Sequence, residues 1–145
     1  MNVNQSIIIS VMKKISTLIA FIVCCMMAFG QGVHFEDLTL DEALAKAKAE
    51  NKLVFMDCYT SWCGPCKWMA TEIFPQKEAG DYFNPKFISV KYDMEKGEGL
   101  KLKDKYKPSG YPTFFIIRPD GSIQHKMCGG RNLEATIARM EVGLN

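Results

Sequence analysis

The sequence offers little to a metal-centred or nucleic-acid-binding reading. Histidine occurs twice in 145 residues, at His34 and His125. Neither has ligand-type partners at useful spacing, so both read as surface side chains. Only one pair of cysteines has C-x-x-C spacing. A zinc site would therefore have to be assembled from that pair with Cys58, Cys128 or a histidine. Neither sign of charge dominates. The formal net charge is +2, and without Lys13 and Lys14 sixteen basic residues face sixteen acidic ones. Such a balance gives no electrostatic footing for nucleic acid or an anionic membrane surface. Internal repeats, low-complexity tracts and linkers are absent, which leaves a single domain.

Acidic residues are missing altogether from positions 1–30. There Lys13 and Lys14 precede an apolar run from Leu18 to Phe29, too short for a comfortable membrane span. Ala28-Phe29-Gly30 then places small residues two apart, before polar Gln31. This is the pattern of a secretory signal peptide cut after Gly30. Met12 is a natural start for it, with 1–11 as an upstream extension. An uncleaved membrane anchor is the alternative. Residues 31–145 are then the mature domain. No Lys-Asp-Glu-Leu-type C-terminus is present, and the expected destination is the bacterial periplasm.

The expected mature chain keeps Cys58, Cys63, Cys66 and Cys128. Its 115 residues are enough to build a core. A C-x-x-C loop is too small to staple much. Redox chemistry is therefore a better reading than a disulfide scaffold.

That chemistry centres on Trp62-Cys63-Gly64-Pro65-Cys66-Lys67. Pro65 is welcome in a helix's first turn, where its missing N–H costs nothing. The apolar run Leu53–Tyr59 ahead of the motif reads as a strand buried on both faces, interrupted only by Asp57. The unit is strand, short loop, Cys63, helix. Free N–H groups and the positive helix end then face the Cys63 sulfur, favouring thiolate and making Cys63 the attacking sulfur. Cys66 would resolve the mixed disulfide.

Around this unit, Thr39 and Glu42 form a capping box for a helix running to about Glu50. The helix after Cys63 continues through Ile73 and breaks near Pro75. A short helix over 76–83 follows, with a turn at Asn84-Pro85. Phe87–Tyr92 is a strand. Glu98–Tyr106 is an exposed helix with Leu100 and Leu102 turned inward. Thr113–Ile117 and 122–128 form a hairpin across Arg118-Pro119-Asp120-Gly121. Asn132 caps a last helix carrying Leu133, Ile137, Met140 and Leu144. The order predicts an α/β fold, a mixed β-sheet flanked by helices on both faces.

Asp57, Trp62-Cys63-Gly64-Pro65-Cys66-Lys67, Gly110-Tyr111-Pro112-Thr113 and Asp120-Gly121 stand in an order that resembles the thioredoxin family, over roughly residues 35–144. The resemblance implies a thiol–disulfide oxidoreductase needing no cofactor or metal. It implies a cis bond before Pro112, with the backbone of Tyr111 open to a substrate's extended chain. Gly64-Pro65 resembles the reducing members, which points to a reductase. Its partners would be disulfide-bonded proteins and a membrane or thioredoxin-type electron donor, with the enzyme a monomer. An oxidase or isomerase of the same fold, or a non-catalytic binding or chaperone module, are the competing functions. The sequence departs at Asp57-Cys58-Tyr59-Thr60, where the family usually carries aromatic residues and Ala. The stretch 72–86 is longer and richer in Pro and Gly than in the smallest members.

By the same resemblance Asp57 accepts the proton of Cys66. Alternatively it is an acid satisfied by Lys91 in the neighbouring strand. Trp62 covers the site and shields Cys66, or is an ordinary core or surface aromatic. Lys67 adds positive charge near the thiolate, or is a solvated helix lysine. Cys58 reads as core filler. Cys128 reads as a bystander near the substrate groove.

Overall fold

The computed structural model describes residues 11–14 and 32–145. Residues 11–14 form an exposed helical turn. The rest of the expected signal peptide lies outside the described residues. By its contacts the chain divides after Gly30, and the fold below is that of the second unit, 31–145.

An N-terminal arm leads in. Val33 N–H donates to Phe74 O (2.7 Å), and Phe35 bridges Ser89 in parallel, with Glu36 N–H donating to Ser89 O (2.8 Å). Helix α1, Leu40–Glu50, starts at the expected capping box: Thr39 accepts from Glu42 N, and Glu42 accepts from Thr39 N. It ends on Asn51 in the left-handed region (φ 53°), a conformation that asparagine tolerates. Strand β1, Leu53–Tyr59, follows and is central. Next come the short helix α2, Gly64–Trp68, a π-helical turn over Met69–Ile73, and helix α3, Lys77–Lys86. Strand β2 is Phe87–Asp93 and helix α4 is Glu98–Tyr106. Strands β3, Thr113–Ile117, and β4, Ile123–Cys128, form the hairpin, and α5, Leu133–Leu144, closes the chain behind an Asn132 cap.

The sheet order is β2-β1-β3-β4. β1 runs parallel to β2 and antiparallel to β3, and β4 returns antiparallel to β3 with an irregularity at Ile116/Ile117. Alternation along β1 divides the interior in two. Val54, Met56 and Cys58 join Leu40, Ala47, Leu102 and Tyr106 from α1 and α4. Phe55 joins Met69, Ile73, Phe74, Phe83 and Met140 on the other side. There its ring packs within 4.8–6.2 Å of those of Phe35, Phe74, Phe83, Phe87 and Phe114.

The structure corrects three expectations. Asn84-Pro85 is not a turn but lies in α3. Pro85 is one residue from the helix end, so the single i→i−4 hydrogen bond that its missing N–H forfeits falls in the last turn and breaks nothing beyond it. Asn84 is committed elsewhere: its side chain accepts from His34 N (2.9 Å) and donates to Gly32 O (3.0 Å), tying down the arm. Gly80 in the same helix lies so close to Gly32 that a Cβ would strike its carbonyl. Leu100 faces solvent, while Leu102 is buried. Residues two apart on a helix point about 200° from each other, so only one of the two could turn inward. The helix after Cys63 does continue through Ile73 and stop before Pro75, widening into a π turn on the way, with Phe74 N–H reaching Met69 O (2.9 Å). His125 is half-buried, because β4 packs against α5 where Gly143 leaves room for its ring. His34 is exposed, as expected.

Candidate active site

The chain leaves β1 at Tyr59 and turns at once. Thr60 O accepts from Cys63 N (3.2 Å), and Cys63 becomes the N-cap of α2. Pro65 lies in the first turn. The Cys63 sulfur accepts the N–H of Cys66 (3.2 Å), doing for this helix what a Ser or Asp oxygen does for most. Cys63 and Cys66 form a disulfide, with Cα atoms 5.3 Å apart. Both are nearly buried in this oxidised state, at 3% and 5% exposure. Above Gly64 the space is open: a Cβ there would meet nothing within 4 Å.

Trp62 stands out from the surface, 64% exposed. Its indole N–H donates to both carboxylate oxygens of Glu95 (3.1 and 3.0 Å), and its ring meets the Tyr111 ring edge-on at 6.1 Å. The Tyr111–Pro112 bond is cis, as the resemblance implied. The Pro112 carbonyl accepts from Gly129 N (2.8 Å), and the Gly110 carbonyl from the Thr113 hydroxyl (2.6 Å). Cys128 is free and exposed, and its sulfur would lie 3.4 Å from a Cβ on Gly110.

Asp57 lies on the Phe55 face, 4% exposed, and its Oδ1 has no hydrogen-bond partner. Burial pushes its carboxyl up to about 7, against the opposing charge of Lys91. Lys91 is its neighbour in register on β2 but makes no ion pair with it; the ammonium sits 5.4 Å over the Phe35 ring. Asp57 and Cys66 line one cavity of about 210 Å³ together with Tyr59, Thr60, Lys67 and Lys91. A second cavity of about 330 Å³ reaches Asp57 and Lys91 from beneath Val33 and Phe35. Lys67 itself is exposed. Cys58, on the opposite face, is fully buried and free, and burial pushes its thiol far up.

The fold thus gathers Asp57, Cys63, Cys66, Lys67 and Lys91 at the end of the central strand. Trp62 and Tyr111 stand as an aromatic pair beside them. Two participants lie outside the motifs that mark the site in the sequence. Glu95 meets Trp62 only through the turn after β2, and Thr60 drew notice only as a departure from the usual alanine. Among the described residues, no three of His, Cys, Asp and Glu converge to hold a metal ion.

A four-stranded mixed sheet whose central strand runs into a C-x-x-C disulfide at a helix N-terminus, with a cis-proline loop in the same domain, defines a thiol–disulfide oxidoreductase scaffold. A thioredoxin-like family model matches residues 35–119. The chain is 34% identical over 121 residues to a rice (Oryza sativa subsp. indica) H-type thioredoxin, covering 78% of this chain and 91% of that protein. It superposes with a TM-score of 0.72 on a provisionally named disulphide-isomerase from Bacteroides thetaiotaomicron. The identity there is 38%, over 80% of this chain and 96% of that one. The C-terminal domain of DsbD from Neisseria meningitidis, in its oxidised form, matches at 25% identity and a TM-score of 0.61, over 77% and 98% of the two chains. The chain belongs to the thioredoxin-like family and is a thiol–disulfide oxidoreductase.

Proposed function

We propose that the protein reduces disulfides of exported proteins in the bacterial periplasm, as a monomer re-reduced by a membrane or thioredoxin-type donor. The observation that carries this reading is the Cys63 sulfur on the end of α2, accepting the Cys66 N–H, with Asp57 and Cys66 on one cavity. In the reduced enzyme Cys63 thiolate attacks one sulfur of the substrate disulfide, and the other leaves as thiolate. Cys66 gives its proton to Asp57 and attacks Cys63. The Cys63–substrate bond breaks as Cys63–Cys66 forms, so two electrons pass to the substrate. Pro65 shapes the first turn between the two sulfurs, and the bare Gly64 leaves the approach open. The backbone of Tyr111, which makes no loop or cap backbone bond among the described residues, would pair with the substrate chain, with Pro112 beside the thiols. Lys67 would add positive charge, and Trp62 would be an apolar contact for the substrate.

Export rests on the signal-peptide pattern of residues 1–30, followed by the domain 31–145, and on the likeness to a DsbD domain. Among the described residues no helix is long and apolar enough to cross a membrane. The name of the Bacteroides relative favours isomerisation as a second reading. Equilibration of the Cys63–Cys66 couple with glutathione separates the two. A potential near about −270 mV supports reduction; one near about −180 mV places the protein with the isomerases. Cys66→Ala should abolish insulin reduction and trap a covalent adduct through Cys63. Full turnover by this variant would contradict the two-thiol mechanism.

A further inference from the structure

Among the described residues three buried side-chain atoms lack a hydrogen-bond partner: Asp57 Oδ1, Thr60 Oγ1 and Ser89 Oγ. Such atoms are costly, and each needs a reason. Asp57 and Thr60 line the same cavity, and Cys66 lines it too. Thr60 is 1% exposed. Its carbonyl holds the Cys63 N–H, while its hydroxyl bonds neither Asp57 nor Cys66 directly. Among the described residues, this buried hydroxyl has no protein group to satisfy it.

We propose that Thr60 is a positioning residue for proton transfer, its hydroxyl anchoring a water that bridges the Cys66 thiol and the Asp57 carboxylate. The inference rests on the reading of Asp57 as proton acceptor. A hydroxyl offers one donor and two acceptor sites. A bound water needs two to four polar partners and occupies about 30 Å³, so a cavity of about 210 Å³ has room for it. In the step, the Cys66 proton passes to the water as the water gives one of its own to Asp57. The water is regenerated, and the thiolate displaces the substrate sulfur from Cys63 with its electron pair. The charged groups facing Asp57 are Lys91 from β2 and Lys67 from α2. Cys58 and Tyr59 are its titratable neighbours on β1. β3 offers Phe114, and the arm offers Val33 and Phe35. Removing the Thr60 hydroxyl leaves all of these in place and takes away only the anchor.

The test follows resolution of a mixed disulfide by stopped flow, in a Cys128→Ser background so that the exposed thiol is silent. Reduced protein is mixed with a chromogenic aromatic disulfide; Cys63 releases the first thiolate, and attack by Cys66 releases the second. Thr60→Val should slow the second phase about tenfold and move its pH midpoint upward, and Thr60→Ser should restore both. In an Asp57→Asn background Thr60→Val should change the rate by less than about twofold, since the relay has lost its end point. Equal slowing in both backgrounds would show a packing role and overturn the proposal, as would no slowing with Asp57 intact. An Asp57→Asn variant as fast as the parent would instead retire the acceptor itself, and the relay with it. Thr60→Ala, the family's usual residue, makes the same comparison if Thr60→Val does not fold.

Discussion

Val54, Met56 and Cys58 point to one side of the central sheet and Phe55 and Asp57 to the other, and the two sides are finished differently. On the first side, α1 and α4 close over a continuous apolar cluster in which the only thiol, Cys58, is fully buried. On the second, the phenylalanine cluster stops short of the strand's end. There Asp57 and Thr60 leave polar atoms unpartnered beside Cys66, and Ser89 does the same under the arm. One strand thus carries packing on one face and chemistry on the other, one residue apart. Burial raises both Asp57 and Cys58. Only the acid lines a cavity shared with a reactive sulfur.

The largest effects should come from removing the charge on the chemical face. Asp57→Asn should slow mixed-disulfide resolution about a hundredfold at pH 7, read by stopped flow. It should also stabilise the oxidised protein. The folded carboxyl titrates at about 7, above its unfolded value of about 3.9. The native state therefore binds more protons between the two, and stability falls as pH rises from about 4 through about 7. The Asn variant should lose that fall and exceed the parent at about pH 8 by on the order of 4 kcal/mol, measured by denaturant unfolding across pH. On the packing face, Met56→Ala should cost about 2–5 kcal/mol at every pH, with the pH profile of resolution unmoved. A shifted profile would erase the distinction between the faces. Cys58→Ser buries a hydroxyl there and should cost about 1–3 kcal/mol while leaving insulin reduction intact. Smallest, Thr39→Ala removes the α1 cap, far from both, and should cost about 1 kcal/mol with no kinetic effect.

Much of the site was legible because its signals are local. Pro65 placed Cys63 at the mouth of a helix, the apolar run placed Asp57 inside a strand, and Thr39 with Glu42 set the start of α1. What escaped depends on distant partners. Asn84 reads as a turn residue until Gly32 and His34, some fifty positions earlier, occupy its amide. His125 reads as surface until α5 folds back over β4. Lys91 faces Asp57 in register and opposes its rise, yet leaves its Oδ1 without a partner. Leu100 is a matter of helical phase: Leu102 and Tyr106 define the inner stripe of α4, and Leu100 lies off it.

The most direct test is a competition among the protein's own thiols. The reduced protein is treated with limiting iodoacetamide at about pH 6 and the modified cysteines are mapped by mass spectrometry. A sulfur held as thiolate by a helix N-terminus should be alkylated ahead of an ordinary exposed thiol. The expected order is Cys63 first, the freely exposed Cys128 well behind, and Cys58 untouched. Labelling of Cys128 before Cys63, or alongside it, would contradict the activation of Cys63 on which the reductase reading stands.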